Sequence, residues 1–299
     1  MVDDSVPGQV RIDRTANLWG AQESGGAYRR RHVYHYTDAA GMSGILQSNQ
    51  LWATSATALN DSSEVKHGFE VCRVALQMWD EPDPLIRAVV GHLIDQASAT
   101  QDLVDNTYIV SASSSSYLMN QWTGYAQSSG YCLTIRADVA FAPAGSEGRL
   151  ASSEWVRVLY DSRSQHRMAQ RLFGQLPGLA SKDALRAITS LAAVLKHHAF
   201  AAEDEWRLIA SLESRGHPNF RIRGNQIVPY VELRPAARET GEALFPSDEV
   251  APVPVDQITV GPPTGMSAER RMNGLRRYLA ARGLGTIPIE NSEIPYVSD

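Results

Sequence analysis

The sequence predicts a single α+β domain that has a mixed, mostly antiparallel sheet and helical insertions. Short segments rich in β-branched and aromatic residues recur along the chain, which is typical of a sheet assembled from its whole length. Segments with helical spacing of apolar residues gather in two stretches, 63–105 and 162–199. No internal repeat or low-complexity linker divides the chain. We therefore expect one α+β domain over 31–299, preceded by a flexible arm over 1–30.

The composition excludes several classes of protein. Of the 299 residues, 43% are hydrophobic and 20% are charged, which excludes a disordered chain, a collagen or a coiled coil. The net charge of −5 argues against a general nucleic-acid coat or a polybasic membrane anchor, but it does not reveal local basic patches. No apolar run approaches the roughly 20 residues that span a bilayer, and the amino terminus lacks a secretory signal. We expect a cytoplasmic protein without a membrane partner.

The predicted strands are marked by β-branched and aromatic residues and bounded by turn residues. They lie at 33–37, 51–54, 108–113, 131–135, 155–160, 205–210, 227–233, 255–260 and 286–289. The predicted helices show apolar residues three or four positions apart, often after a capping residue such as Asp38 or Ser181. They lie in a short segment after Asp38, at 63–79, at 85–96, at 117–126 as a helix or loop–helix, within 162–199, and at 267–282.

The first strand carries a candidate ligand-binding pair. Because side chains alternate along a strand, Val33, His35 and Thr37 share one face, while Tyr34 and Tyr36 share the other. The His35 and Thr37 side chains offer a donor and an acceptor that suit a ribose hydroxyl or an amide. Tyr36 reaches the same pocket only through its backbone. The alternative is a histidine that is hydrogen-bonded within a half-buried strand.

A second candidate is the acidic start of the strand at 205–210. Glu203 and Glu205 fall on one face if that strand extends back by two residues. Two such carboxylates can divide their work, one orienting a substrate and the other stabilising positive charge or acting as a base. The alternatives are a solvated strand end or an ion pair with Arg207.

Two further segments carry polar residues next to predicted helices. The segment 60–64 is first a helix cap, with Asp61 or Ser62 as the cap and Glu64 bonding back, or else a site rim in which Asn60 or Glu64 touches a ligand. The segment 111–125 combines a serine-rich stretch with large rings. Rings near hydroxyl groups suit a nucleotide or a nicotinamide, although a core position for Trp122 is an equal alternative.

Several other patterns carry little weight. Cys72 and Cys132 are too few for a disulfide scaffold or a multi-thiolate zinc site, and we expect both to be buried as small hydrophobes. Adjacent residues on a helix point in different directions, so His197 and His198 do not form a ready metal site. No phosphate-binding loop, zinc-protease motif or serine-hydrolase elbow is present.

The combined pattern resembles an uncharacterised bacterial family of the domain-of-unknown-function type. The resemblance covers about residues 32–297. The matching motifs are Tyr34-His35-Tyr36-Thr37, Leu51-Trp52, Asn60-Asp61 with Glu64, Ser113, Leu118-Met119 with Trp122 and Tyr125, Gly130-Tyr131-Cys132-Leu133, Glu203 with Glu205-Trp206-Arg207, Gly261, and Ser292 with Ile294-Pro295-Tyr296.

That family in turn resembles the ADP-ribosyltransferase superfamily, in which a sheet splits around NAD. The resemblance implies that His35 holds the nicotinamide-side ribose, with Tyr36 and Thr37 beside it. It also implies that Glu205, supported by Glu203, stabilises the oxocarbenium-like transition state. The middle position of the pocket stays open. The cofactor-binding candidates are His35, Tyr36, Thr37, Asn60, Ser113, Trp122 and Tyr125, with Tyr117 as a further choice for the middle position.

The resemblance implies that NAD is the substrate and that a nucleic acid or a protein accepts the ADP-ribose. It also implies a role as a toxin or in phage defence, with an antitoxin or defence protein as partner. A second hypothesis is a non-catalytic module that binds a nucleotide or a protein in such a system. A third is a phosphoester hydrolase that uses Asp61, Glu64 and Glu205 with a divalent metal ion.

Overall fold

A computed structural model of the chain describes residues 10–11, 31–59, 63–126, 129–143, 154–212, 217–236, 252–262 and 268–294. These residues form an α+β fold with a single mixed sheet, as the sequence predicts. Of the predicted arm over 1–30, only Val10 and Arg11 among the first 30 residues are described, and they pair with the strand at 205–212. No helix in the described ranges is long and apolar enough to cross a membrane.

The described residues contain twelve strands and eight α-helices. The strands are β1 (Val10–Arg11), β2 (His32–Thr37), β3 (Leu51–Ser55), β4 (Thr107–Ser113), β5 (Tyr131–Arg136), β6 (Ala140–Pro143), β7 (Val156–Arg157), β8 (Glu205–Leu212), β9 (Asn219–Arg223), β10 (Gln226–Ala236), β11 (Val255–Val260) and β12 (Ile289–Asn291). The helices are α1 (Ala39–Ser48), α2 (Glu64–Gln77), α3 (Pro84–Ala99), α4 (Gln101–Asp105), α5 (Met119–Tyr125), α6 (Ser162–Phe173), α7 (Ser181–Ala192) and α8 (Ala268–Ala281). A 3₁₀ turn, His198–Glu203, precedes β8.

The sheet branches at β4. One edge of β4 pairs along its length with β8, so every other partner of β4 occupies its second edge. On that second edge β2 pairs at Ser113, whereas β3 pairs at Ile109 and Tyr108. The β2 branch continues through β5 and β11 to β12, and the β3 branch continues to β10. We call the gap between the two branches on the β4 edge the fork. All pairs of strands are antiparallel except β11 with β12.

Each face of the sheet is covered by a different set of helices. Val33, Leu133, Leu208 and Ala210 pack in one core with residues of α1 and α8. The opposite face of β4 and β8 packs against α2, α3, α6 and α7 through a second core. The two predicted helical insertions therefore form one layer. The backbones of α2 and α7 approach so closely that a methyl group on Gly68 would overlap the backbone of Ala192.

Local signals account for several helix ends. The Asp38 carboxylate accepts a hydrogen bond from Gly41 N at 2.7 Å, as expected for the cap of α1. Asp83 caps α3 in the same way, and Pro84 follows at the first helical position, where its missing N–H costs nothing. Cys72 and Cys132 are both buried and free, as predicted.

Other expectations were wrong in their extent. The strand expected at 155–160 is reduced to β7, because only Val156 and Arg157 pair with β8. The helical stretch expected over 162–199 is interrupted at Gly174, where α6 ends, and resumes at Ser181, which is the first residue of α7 rather than its cap. The last strand begins at Ile289 and not at residue 286. The strands β1, β6 and β9 were not expected.

Candidate functional site

Several buried charged side chains converge behind the start of β8. Lys196, which follows α7, places its Nζ atom 2.8 Å from Glu64 Oε1, 2.7 Å from Glu203 Oε2 and 3.2 Å from Glu205 Oε2. The Lys196 side chain is only 4% exposed. Its backbone is fixed as well, because Lys196 N donates to Leu159 O. One buried ammonium group therefore joins Glu64 to two carboxylates, Glu203 and Glu205, that lie about 140 residues further along the chain.

Arg207 closes the cluster from the other side. Its Nε and Nη2 atoms donate to the two oxygens of Glu205 at 2.7 and 2.9 Å, which is the bidentate geometry of a strong ion pair. Nη2 also donates to Glu64 Oε2 at 2.6 Å, and Nη1 donates to the carbonyl of Ala193. The ion pair between Glu205 and Arg207, given above as an alternative, is present. We call Glu64, Lys196, Glu203, Glu205 and Arg207 the charge cluster.

The charge cluster has an excess of negative charge, because three carboxylates face two cations. Burial alone would raise the pKa of Glu205, but Arg207 and Lys196 hold it below its ordinary value. Burial would likewise lower the pKa of Lys196, yet the attraction of Glu205 and Glu64 raises it. Both groups are therefore charged at neutral pH.

Glu203 differs from the other two carboxylates. Its side chain is 18% exposed, compared with 6% for Glu205 and 9% for Glu64. Burial raises the pKa of Glu203, and the contact with Lys196 only partly opposes this effect. Glu203 is thus the most accessible carboxylate of the charge cluster, and it is more easily protonated than Glu205.

The expected strand extension to Glu203 is wrong. Strand β8 begins at Glu205, and Glu203 ends the preceding 3₁₀ turn. Between them Asp204 adopts the left-handed conformation, with a φ of 40°, so the strand does not continue backwards. The side chain of Asp204 is held by Ser114 and Arg157. Glu203 and Glu205 still meet, but at Lys196 rather than along one strand face.

Three aromatic or hydroxyl side chains surround the charge cluster. Burial raises the pKa of Tyr125, at the end of α5, and the charges of Glu203 and Glu205 raise it further. Tyr160 OH accepts a hydrogen bond from Glu205 N at 3.1 Å. Ser113 is directly opposite Glu205 in the pairing of β4 with β8. The structure therefore brings together Glu203, Glu205, Ser113 and Tyr125 from the predicted residues.

His35 and Thr37 are not on the same face as these carboxylates. Tyr34, Ser113 and Glu205 are successive cross-strand partners, so their side chains share one face of the sheet. His35 is the next residue after Tyr34 and therefore points to the opposite face, as does Thr37. The His35 Nδ1 atom lies 2.8 Å from the carbonyl of Ser111, inside the fork. The alternative of a hydrogen-bonded histidine in a half-buried strand matches this contact.

Tyr36 and Trp122 attach α5 to the sheet. Their rings meet edge to face with centroids 4.9 Å apart, and Trp122 is completely buried. Tyr36 OH donates to Ser115 O at 2.8 Å and accepts from Leu118 N at 3.1 Å. Trp122 therefore occupies a core position, which was one of the two alternatives that the sequence left open. Tyr117, in contrast, is exposed.

The segment at 60–64 is only partly visible, because Asn60, Asp61 and Ser62 lie outside the described residues. Glu64 is the first residue of α2, and its two oxygens bind Lys196 and Arg207 rather than closing a capping box. Two of the carboxylates assigned to a metal in the third hypothesis thus already have cationic partners. No group of three His, Cys, Asp or Glu side chains in the described part of the chain is arranged to hold a metal ion.

Sequence reasoning missed Lys196, which contacts all three carboxylates. It lies in an apolar stretch, 191–196, where one lysine is easily taken for a solvated helix end. The useful signal was its place at the end of a strongly apolar helix face, because a charge that follows buried residues needs a partner. Sequence reasoning also missed Arg221, which lies in the unexpected strand β9.

Most of the charge cluster lies in the part of the chain that matches a family model. Residues 121–208 match the model of the family described as a protein of unknown function, DUF2971. This family match confirms the expected resemblance to an uncharacterised domain-of-unknown-function family. The matched residues include Lys196, Glu203, Glu205 and Arg207. Comparisons with curated proteins and with solved structures found no match, and no finding links the chain to ADP-ribosyltransferases.

Proposed function

We propose that the chain is an ADP-ribosyltransferase-like enzyme that cleaves NAD between nicotinamide and ribose and transfers ADP-ribose to a macromolecule. One observation carries this proposal: the charge cluster has three carboxylates for two cations, and its most exposed carboxylate, Glu203, lies near Tyr125. Breaking the bond to nicotinamide leaves positive charge at the anomeric carbon of the ribose. An excess of fixed negative charge in a site that excludes water stabilises such a transition state.

In this proposal the carboxylates have separate roles. Glu203 faces the ribose, and its raised pKa suits a group that exchanges a proton with the attacking nucleophile. Glu205 remains ionised and supplies a fixed negative charge behind it. Lys196 and Arg207 hold the carboxylates in place, and Tyr125 offers a ring for the nicotinamide. If water replaces the macromolecule as the nucleophile, the same site acts as a glycohydrolase.

The decisive experiment is nicotinamide release from NAD by the purified protein, with and without cell lysate as a source of acceptors. We expect Glu203→Gln to lower the rate by about a hundredfold or more, the usual effect of losing a group that acts on the transition state. Glu70→Gln is the matched control, because the Glu70 side chain is 69% exposed and pairs with Arg73 on the same helix. Equal rates for the two variants, or no release from the unaltered protein, would refute the proposal.

A second variant separates the two carboxylates. Glu205→Gln removes the fixed charge and also the partner of Arg207, so its melting temperature must be measured beside its rate. We expect lost turnover together with a folded protein at low temperature. A folded Glu205→Gln variant with unchanged nicotinamide release would assign Glu205 to the structure alone.

A non-catalytic binding module is the second candidate, and one observation favours it. Both oxygens of Glu205 are occupied by Arg207 and Lys196, and His35 points to the other face of the sheet. Such a site can bind a nucleotide or a protein without catalysing a reaction. Saturable binding of NAD in calorimetry, with no nicotinamide released over hours, would favour this function over the first.

A further inference from the structure

Strand β9 lies at an exposed edge of the sheet. It pairs with β10 through a register that runs from Asn219 opposite Tyr230 to Arg223 opposite Gln226. No strand of the described ranges pairs with its other edge. Four of its five residues are exposed, and the exception, Arg221, is partly buried. The backbone N–H and C=O groups along that edge are therefore open to a further strand.

One face of the ribbon formed by β9 and β10 is apolar and exposed. Phe220 and Ile222 lie on this face because they are two residues apart, and Ile227 is the cross-strand partner of Ile222. All three are exposed large hydrophobic residues, and Ile222 is 82% exposed. We call these three residues the apolar face. Large apolar residues that are exposed side by side are typical of a surface that binds a partner.

The other face of β9 is basic. Arg221 and Arg223 lie on it, and neither forms an ion pair with a carboxylate of the described residues. The Arg221 guanidinium is fixed, because Nη2 donates to Thr54 Oγ1 at 2.7 Å and its carbon lies 5.4 Å from the Trp52 ring centroid and 5.5 Å from that of Tyr230. Strand β9 therefore presents two positive charges in a chain whose net charge is −5.

The alternation of the two faces indicates the chemistry of the partner. A strand added beside β9 has side chains that alternate between the same two faces. Apolar side chains on that strand cover the apolar face, and carboxylates lie on the face of the two arginines. A nucleic acid backbone could use the arginines, but it has no group that matches the exposed isoleucines.

Pairing of β9 with a second copy of the chain is less favourable. Antiparallel pairing that sets Phe220 of each copy opposite Ile222 of the other also places the two Arg221 residues opposite each other. Like charges directly opposite each other destabilise a sheet. An acidic partner relieves this repulsion, so charge complementarity favours a different protein.

We propose that β9 is the docking edge for an extended peptide of a partner protein, in which apolar residues alternate with acidic ones. The peptide pairs with the β9 backbone, packs its apolar side chains on the apolar face and turns its carboxylates toward Arg221 and Arg223. This surface goes beyond the proposed NAD chemistry, because β10, β3 and β4 separate β9 from β8, which carries Glu205.

Fluorescence anisotropy with labelled synthetic peptides tests this surface. The probe is a peptide of about eight residues that alternates valine with glutamate, and the control peptide alternates valine with lysine. We expect saturable binding of the glutamate peptide and binding of the lysine peptide that is weaker by about tenfold or more. Equal binding of the two peptides, or no binding of the glutamate peptide, would overturn the proposal.

Two pairs of exposed variants locate the bound peptide. Ile222→Ser should weaken binding by about tenfold or more because it removes apolar contact area, whereas Leu85→Ser, on α3, should leave binding unchanged. Arg223→Glu should weaken binding by about fivefold or more and make it less sensitive to salt, whereas Arg276→Glu, on α8, should have little effect. Equal losses within either pair would contradict docking at β9.

Three further measurements separate the other possible occupants. Sedimentation without peptide should show no association; association that Ile222→Ser abolishes would overturn the proposal and assign the edge to a second copy. A single-stranded oligonucleotide should bind more weakly than the glutamate peptide, and tighter binding that depends on Arg223 would assign the edge to nucleic acid instead. Amide hydrogen exchange over 219–223 should slow when the glutamate peptide binds, and unchanged exchange would place the peptide elsewhere. Because no assay here depends on turnover, failure of NAD cleavage leaves this result unaffected.

Discussion

Removing the buried cation Arg207 should be one of the most damaging single substitutions in the chain. Its side chain is 3% exposed and donates to Glu205, Glu64 and the carbonyl of Ala193. In Arg207→Met both carboxylates stay buried with Lys196 as their remaining cation. Breaking a buried ion pair from one side costs about 3–5 kcal/mol. Because whole domains are stable by only about 5–15 kcal/mol, we expect a much lower urea midpoint for unfolding.

The pH dependence distinguishes this explanation from simple loss of packing. In the unaltered protein the pKa of Glu205 is held below its ordinary value. The ionised Glu205 therefore stabilises the fold at a pH above the pKa that this group has in the unfolded chain. This contribution is lost as the pH falls through the lower pKa that Glu205 has in the folded protein. Without Arg207 the burial effect on Glu205 is no longer opposed by that charge. Its pKa should then rise, so acid should reduce the deficit of Arg207→Met relative to the unaltered protein.

The matched control is Arg157→Met, because Arg157 is 63% exposed and forms an ion pair with Asp204 at 3.2 Å. An exposed pair of this kind is worth about 0–1 kcal/mol. Urea unfolding of both variants at pH 7 and pH 5 gives the comparison. A loss in Arg207→Met no larger than that in Arg157→Met, or a deficit that does not shrink in acid, would refute the reasoning.

Three other predictions concern packing and protonation. Gly68→Ala should lower the free energy of unfolding by about 1–3 kcal/mol or more, because the added methyl group meets the backbone of Ala192. Gly124→Ala adds its methyl group to open space and should be neutral or stabilising. Similar melting curves for the two variants would contradict this prediction. Trp122→Ala should cost about 3–5 kcal/mol in urea unfolding because the ring is completely buried, and a loss under about 1 kcal/mol would be incompatible with that burial. Burial lowers the pKa of His35, so nitrogen NMR spectra at pH 6.5 should show a neutral ring with the hydrogen on Nδ1. The contribution of His35 to the free energy of unfolding should decline as the pH falls below about 6.5. A charged ring at pH 6.5 would disprove this prediction.

Much of the fold could be predicted from local sequence signals. Alternation along 33–37 correctly separated Val33 from Tyr34 and Tyr36, and the two faces pack in different clusters. Asp38 identified the start of α1 because a capping carboxylate acts within three residues. The strands missed by sequence reasoning are short or exposed, such as β9, whose residues do not show a buried face.

The candidate site was only half visible in the sequence. Glu203 and Glu205 were identified from their spacing, but the expected strand geometry was wrong because Asp204 turns the backbone. Lys196 was missed because its role depends on three carboxylates that a pattern of apolar residues does not reveal. The sequence shows that a residue is charged, but only the folded structure shows which residue it pairs with.

By itself the sequence determined the α+β class, most of the strands and the chemical types available to a site. Those properties depend on neighbours within a few residues, where side-chain alternation and capping act. The tertiary structure alone decided that Arg207 meets Glu64, 143 residues away, and that His35 and Glu205 point to opposite faces. Strand pairing and burial determine these long-range contacts, because a buried charge is stable only beside an opposite charge, which can come from any part of the folded chain.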